Sequence, residues 1–404
     1  MTETGSRSKP AVGNGSPVTG GHLDALDGVR AVASFLVLAF HVAAESGAML
    51  QEGFTGALLS RGDVAVPIFF ALSGVLLYRP FAASALTGKP SPRVPAYLWR
   101  RAVRILPSYW LVVVVAMLLW SWDHVSDGWT WLMLLLLGQN YAVDPWWTGL
   151  APKGLAQMWS LSVEMAFYIL LPIFAAVLAA LARRAGDDPD RRAVRLLAGL
   201  GALAAVSYAW TLLSHYPQHR PGLSLWPPRA MCYFAAGMVL AVVMAWAAAR
   251  PDGPAGRFSR GVASSPGSWW LVAVLAYAVA ASPVTGSRFL GVDDVWADLS
   301  ELALYTVVAF CLLAPAALLP PEDSPVRRLL GNRVMRFLGR VSYGVFLWQF
   351  VVLYGWYEFT GQEPFSGGFP GNLAVVALIT LCLATLSYRL VEKPLQRLNS
   401  LVRR

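Results

Sequence analysis

Ten stretches of this chain are each apolar for about the twenty residues that a helix needs to cross a bilayer. They lie near 25–46, 64–86, 105–122, 159–182, 196–214, 229–249, 268–284, 300–320, 341–359 and 372–391. Inside hydrocarbon a backbone must satisfy its own hydrogen bonds, so repeated runs of this length leave little choice but stacked helices. The sequence is therefore read as all-α: a polytopic integral membrane helical bundle of about ten transmembrane helices. Charged residues make up 14% of the chain, against roughly 25% in soluble domains. The localisation expected is the cell membrane, multi-pass, with the lipid bilayer as first partner.

An eleventh apolar piece, Trp129 to Gly138, is about half the required length. A short span and a re-entrant or interfacial piece both suit it, and charge decides whether it crosses. Arginine clusters fall in loops 87–104, 183–195, 250–260 and 321–340 and at the C-terminus, whereas 47–63, 285–299 and 360–371 are poor in Lys and Arg. If 129–138 does not cross, every basic loop falls on one side, as the positive-inside rule requires. Both termini are then cytoplasmic. The same distribution explains the net charge of +9 without nucleic acid, for which no groove-reading or aromatic-interleaved basic motif is present.

Residues 1–22 are polar and lack the apolar core of a signal peptide, and are read as a disordered cytoplasmic tail. The membrane domain is expected over 23–395 and a basic cytoplasmic tail over 396–404, with no appended soluble domain. Cys232, Cys311 and Cys382 lie in apolar segments without metal-ligand spacing, so they are read as core residues and no metal site is expected.

Against this apolar background the ionisable residues stand out. Arg30 and His41 are eleven residues apart, which returns to nearly the same helix face about 16 Å higher. Arg30 suits a snorkelling anchor. His41, well inside a span, calls for a partner or a cavity, although a packed histidine bonded to a neighbouring helix also fits. Asp27 is placed to pair with Arg30. Glu45, four residues after His41, either orients the imidazole or is a plain helix-end residue. The expected topology puts Glu164 about 7–8 Å below the outer surface, near the depth of His41. An acid/base pair is one reading of that proximity, and a structural hydrogen bond is the other. Ser73 and Gly74 permit close helix contact. Arg101 and Arg104, at i and i+3, suit either cytosolic anchoring or phosphate binding.

Six segments in order, "LDGVRAVASFLVLAFH", "FFALSGVLL", "RRAVRILPSYW", "WSLSVEMAFYILLP", "LGRVSYGVFLW" and "SYRLVEKPL", resemble the acyltransferase 3 family of multi-span membrane O-acyltransferases. The resemblance runs over residues 23 to 395. It implies transfer of an acyl group from cytoplasmic acyl-CoA, a donor substrate rather than a permanently bound cofactor, to a hydroxyl of a sugar-containing acceptor. His41, Glu164 and Arg30 are then the catalytic candidates, and Arg101, Arg104 and Arg30 the donor-binding ones. Ser73, Trp159, Ser160, Asp27, Glu45 and Tyr343 are the substrate-binding candidates. Two positions depart from the family pattern. Pro67 stands where an acidic residue often precedes the double phenylalanine, so any role of that acid falls to Asp63, Glu45 or Glu164, or is absent. Gln349 stands where a histidine is usual, which argues against acid/base chemistry at that position. The competing reading is a transporter or flippase of a lipid-linked sugar or small molecule, which predicts internal repeats that are not visible by eye. The resemblance leaves acceptor identity, acyl length and oligomeric state open.

Overall fold

A computed structural model describes residues 23–287, 294–318 and 324–401. The expected N-terminal tail over 1–22 lies outside these residues. In chain order the helices are α1 (Asp24–Glu45), α2 (Phe54–Leu59), α3 (Ala65–Thr87), α4 (Val94–Trp120), α5 (Gly128–Leu135), α6 (Met158–Arg183), α7 (Pro189–His215), α8 (Met231–Ala249), α9 (Pro254–Ser264), α10 (Pro266–Ala280), α11 (Val295–Ala317), α12 (Pro325–Leu330), α13 (Arg333–Thr360), α14 (Phe369–Ser387) and α15 (Lys393–Leu395).

Among the described residues nine helices are long and apolar enough to cross a bilayer, and ten if the pair α9–α10, bent by 80°, forms one broken span. That pair replaces the seventh continuous span expected from sequence. Pro266 opens α10 right after α9, and a proline ring disfavours helical geometry at the residue before it. Apolar side chains such as Ile169, Ile173, Leu275, Val274 and Leu378 point outward from the bundle, where lipid rather than water is their solvent. Cys232 and Cys311 are buried, whereas Cys382 is exposed on α14.

Several helices start before their apolar stretch does. α4 begins at Val94, α7 at Pro189 and α13 at Arg333, so arginines read from sequence as loop residues ride on the first turns of spanning helices. Contacts gather these basic ends together. Arg336 of α13 pairs with Asp24 of α1 at 3.5 Å, Arg250 after α8 pairs with Asp188 before α7 at 2.8 Å, and Trp99 of α4 donates to the Leu398 carbonyl at 3.2 Å. We refer to this as the arginine-rich end.

The centre of the bundle is drawn tight by glycine. A Cβ at Gly237 of α8 would lie 1.9 Å from the Ala71 carbonyl oxygen of α3, and one at Gly74 would lie 2.2 Å from that of Phe234. The two backbones touch there, so the Gly74 of "FFALSG" serves packing while its neighbour Ser73 remains free for another use. Because backbone cannot move aside as a side chain can, Gly237→Val is expected to cost at least about 3 kcal/mol, the upper part of the usual overpacking range. A lowered melting temperature of the detergent-solubilised protein is the expected result, and an unchanged one would contradict the contact.

The eleventh apolar piece is re-entrant. α5 descends from the end of α4 into the bundle, where the Tyr109 hydroxyl donates to the Leu134 carbonyl at 2.5 Å and the Trp110 indole to that of Leu135 at 3.0 Å. Leu137 turns the chain with φ of 58°, a left-handed value that is costly for a bulky residue, and its carbonyl accepts from Ser162 at 2.5 Å. These bonds satisfy the carbonyls that a helix end leaves open, as burial in an apolar bundle demands. The chain then returns to the end from which it entered, with Gly154 against the Trp120 ring. As a result α6 starts deep: Gln157 donates to the Leu347 carbonyl, mid-way along α13, at 2.9 Å.

Candidate active site

Near the arginine-rich end, α1, α3, α4, α6 and α13 enclose a cavity of about 90 Å³. Its polar walls are Arg30, Ser73, Arg101, Arg104, Glu164 and Tyr343, with Ser160 beside them. One oxygen of Glu164 accepts hydrogen bonds from the Ser73 hydroxyl and, at 2.5 Å, from the Tyr168 hydroxyl. Arg30 reaches the buried Asp27 at 3.4 Å, one turn earlier on α1. Tyr343 donates to the Ile105 carbonyl at 2.8 Å and so pins α13 to the arginine-bearing part of α4. Among the described residues no hydrogen bond or ion pair engages Arg101 or Arg104, and the Arg101 Nε is buried without a partner. Three guanidinium groups share this small space with a single carboxylate, Glu164, and such crowding of like charge inside an apolar bundle is costly. The arrangement is suited to an anion that arrives from outside.

His41 stands on the same helix as Arg30, three turns further on, and is half-buried. Its Nδ1 lies 3.1 Å from Oε1 of Gln349, while Nε2 of that amide donates to the Phe346 carbonyl at 3.0 Å. The second bond fixes which way the amide faces, because a carbonyl can only accept. Nδ1 must then carry the proton and donate it to Gln349, leaving Nε2 with its lone pair. Phe350 covers the ring at a centroid distance of 4.3 Å. The position read from sequence as unable to titrate is thus the direct partner of the histidine. A separation of 308 positions in the chain hides the pair from any local pattern, and the departure from the family motif at Gln349 was its only trace.

Beyond His41 a cleft of about 930 Å³ opens at the end opposite the arginines. Glu45, one turn above His41, lines it, as do Trp120, Trp147, Tyr354 and the returning segment 146–154. Tyr354 rests on Phe350 at 5.3 Å, so the aromatic wall of the cleft is continuous with the cover of His41. Lys153 pairs with Glu358 at 2.6 Å and sits 5.5 Å from the ring centroids of both Trp120 and Tyr354. Nothing in the sequence pattern flagged this wall, since it is assembled from a re-entrant segment and the far turns of α4 and α13.

The candidate residues therefore divide. Arg30, Arg101, Arg104, Ser73, Ser160, Glu164 and Tyr343 come together around one cavity, with Asp27 behind Arg30. Glu45 belongs to the opposite cleft. Glu164 is not the partner of His41 that its expected depth suggested; its partners are Ser73 and Tyr168, at the level of the arginines. The reason is the re-entrant segment, which sinks the start of α6 into the bundle. Trp159 faces a third cavity, of about 220 Å³, with Asp63, Pro67, Arg229, Glu301 and Tyr305. There Asp63 accepts from the Tyr305 hydroxyl at 2.5 Å, one turn before Pro67. No cluster of His, Cys, Asp or Glu among the described residues has the geometry to hold a metal ion.

A family model described as an acyltransferase domain matches residues 23–389. The chain belongs to the acyltransferase 3 family. It is 23% identical over 93% of its length to peptidoglycan O-acetyltransferase OatA of Listeria monocytogenes, and spans 56% of that relative. It is 27% identical, again over 93% of its length, to acyltransferase MdmB of Streptomyces mycarofaciens, of which it spans 92%. The chain thus covers just over half of the first relative and nearly all of the second. The matched region contains the arginine cavity, the aromatic cleft and His41, so the elements that build the candidate site lie inside the family domain.

Proposed function

We propose that this protein is a membrane O-acyltransferase that takes an acyl group from cytoplasmic acyl-CoA and places it on a hydroxyl of a sugar-containing acceptor at the opposite side. The observation that carries the reading is the position of His41, on one helix between a cationic cavity and an aromatic cleft. With the arginine-rich end facing the cytoplasm, the guanidinium groups of Arg30, Arg101 and Arg104 meet the phosphates of the donor, to which bidentate arginine contacts are well matched. The cavity, of about 90 Å³, is too small for the nucleotide, which stays at its mouth, and the pantetheine arm carries the thioester along α1 to His41, about 16 Å beyond Arg30.

The acceptor hydroxyl reaches His41 from the cleft. Its oxygen attacks the thioester carbonyl carbon while Nε2 takes its proton, the carbon–sulfur bond breaks, and the departing thiolate recovers that proton from the imidazolium. Gln349 holds Nδ1–H throughout and keeps Nε2 facing the reaction, the task that a third group performs for the histidine of hydrolase triads. Gln349→Leu is expected to lower kcat by about 10- to 100-fold at an unchanged acyl-CoA KM, less than the roughly 100- to 10,000-fold that a general base supplies, because the imidazole itself remains. Steady-state kinetics with each substrate varied would check this, and Gln349→His, which offers a replacement nitrogen acceptor, is expected to recover part of the loss. The reading itself is tested by supplying labelled acyl-CoA to membranes that contain the protein. An acylated glycan or glycoside that requires the protein is expected, and transport of an unmodified sugar compound in its place would refute it.

A further inference from the structure

The end of the molecule that carries the cleft has a one-sided charge. Segments 45–60, 121–157 and 358–371, which form and surround it, contain seven carboxylates and a single Lys or Arg, Lys153. That lysine is spoken for: Glu358 holds it at 2.6 Å between the Trp120 and Tyr354 rings. Arg61, next in sequence, turns away to Glu301 and to the backbone carbonyls of 285–287. Within the cleft this leaves Glu45 and Glu363 without a neutralising partner in ion-pair contact among the described residues. Glu45 matters more, because it is half-buried and sits one turn from His41. Its side chain makes no hydrogen bond among the described residues; only its backbone carbonyl is engaged, by the Phe365 amide at 2.6 Å.

We infer that the cleft selects an acceptor glycoside that bears a protonated amine, and that Glu45 is the specificity-determining residue that receives it. The chemistry follows from the walls. Indole and phenol faces accept the C–H face of a sugar ring and attract a cation through their quadrupole. A carboxylate beside them supplies charge where apolar walls focus the field. A polyanionic glycan would meet like charge on every side of the same opening. Lys153 already demonstrates the principle: an ammonium held over two rings and against a carboxylate, within the same cleft. An amine-bearing acceptor anchored at Glu45 has its hydroxyl groups one helical turn from the imidazole.

The inference rests on the acyl-transfer reading only in calling the ligand an acceptor, so its test measures binding without turnover. The full-length protein in lipid nanodiscs is titrated, in the absence of acyl-CoA, with octyl glucosaminide and with its N-acetylated counterpart, which has the same ring and tail but no charge. At low ionic strength the amine is expected to bind about tenfold more tightly, the preference shrinking as salt is added. Glu45→Gln is expected to remove most of that preference while leaving the affinity for the N-acetyl compound unchanged. Lys153→Met acts in the opposite direction: it deletes the competing cation, frees Glu358, and should widen the preference. Equal binding of the two glycosides by the wild-type protein, or a preference that survives Glu45→Gln, would overturn the inference. If the amine preference holds and depends on Glu45 while no acyl transfer is detected, the binding site stands and the enzymatic reading fails instead.

Discussion

Replacement of His41 by alanine is expected to abolish acyl transfer, with a fall in kcat of at least about 100- to 10,000-fold, the contribution of a positioned general base. Of the two ring nitrogens, Nδ1 is committed to Gln349, whose orientation is locked by the Phe346 carbonyl. Nε2 is therefore the only atom of this ring that can take a proton from a hydroxyl. Among the described residues no other histidine is placed to substitute: His124 stacks on Trp146 at 3.6 Å, His215 lies 3.6 Å from Asp298 beside the third cavity, and His219 stacks on His215 at 4.6 Å. The variant should retain its fold, because the ring is half-buried and its loss strands only one amide oxygen, at about 1–3 kcal/mol. Labelled-acyl transfer measured together with melting temperature separates the two effects. A folded His41→Ala protein that turns over at the wild-type rate would remove the imidazole from the mechanism.

Arg101→Ala and Arg104→Ala are expected to raise the KM for acyl-CoA by about 10- to 100-fold each while the acceptor KM changes little. That range corresponds to loss of a hydrogen bond to a charged group, about 1.5–3 kcal/mol. Lysine at either position should recover only part of the affinity, because it cannot present the planar fork that matches a phosphate. A second consequence has the opposite sign. With Arg30, Arg101 and Arg104 around one small cavity and no ion pair on Arg101 or Arg104 among the described residues, the ligand-free protein bears like-charge repulsion in a poorly solvated place. Removing Arg101, whose buried Nε has no partner among the described residues, is therefore expected to raise the melting temperature of the free protein as it weakens donor binding. Such an exchange of stability for function is common where a site is poised for its ligand. The double variant should fall short of the sum of the singles, since the two side chains share one anion. Unchanged donor KM in both single variants would reassign these arginines to membrane anchoring.

The helical class, the approximate number of spans and the failure of 129–138 to cross were all legible in the sequence, and for one physical reason. In a bilayer the length of an apolar run is set by a fixed thickness, so a local count carries global meaning. The Arg30–His41 stripe was legible because it lies along a single helix with known rise and twist. The arginine pair of α4 was visible for the same reason.

What escaped was everything that depends on how deep one helix starts relative to another. The expected depth of Glu164 assumed that α6 begins at the surface, and the buried turn at Leu137, fixed by Tyr109, Trp110 and Ser162, moves that start toward the middle of the bundle. This single displacement takes Glu164 from His41 to the arginines. Gln349 was read as a lost titrating group until the crossing of α1 and α13 brought it onto His41. Sequence by itself determined which residues are polar within apolar helices, because burial in lipid makes each such residue conspicuous. Only the tertiary structure decided which of them meet, because lateral packing and vertical offset arise from side chains far apart in the chain, such as Gly74 against Phe234 or Ser162 against Leu137, and leave no periodic mark along it.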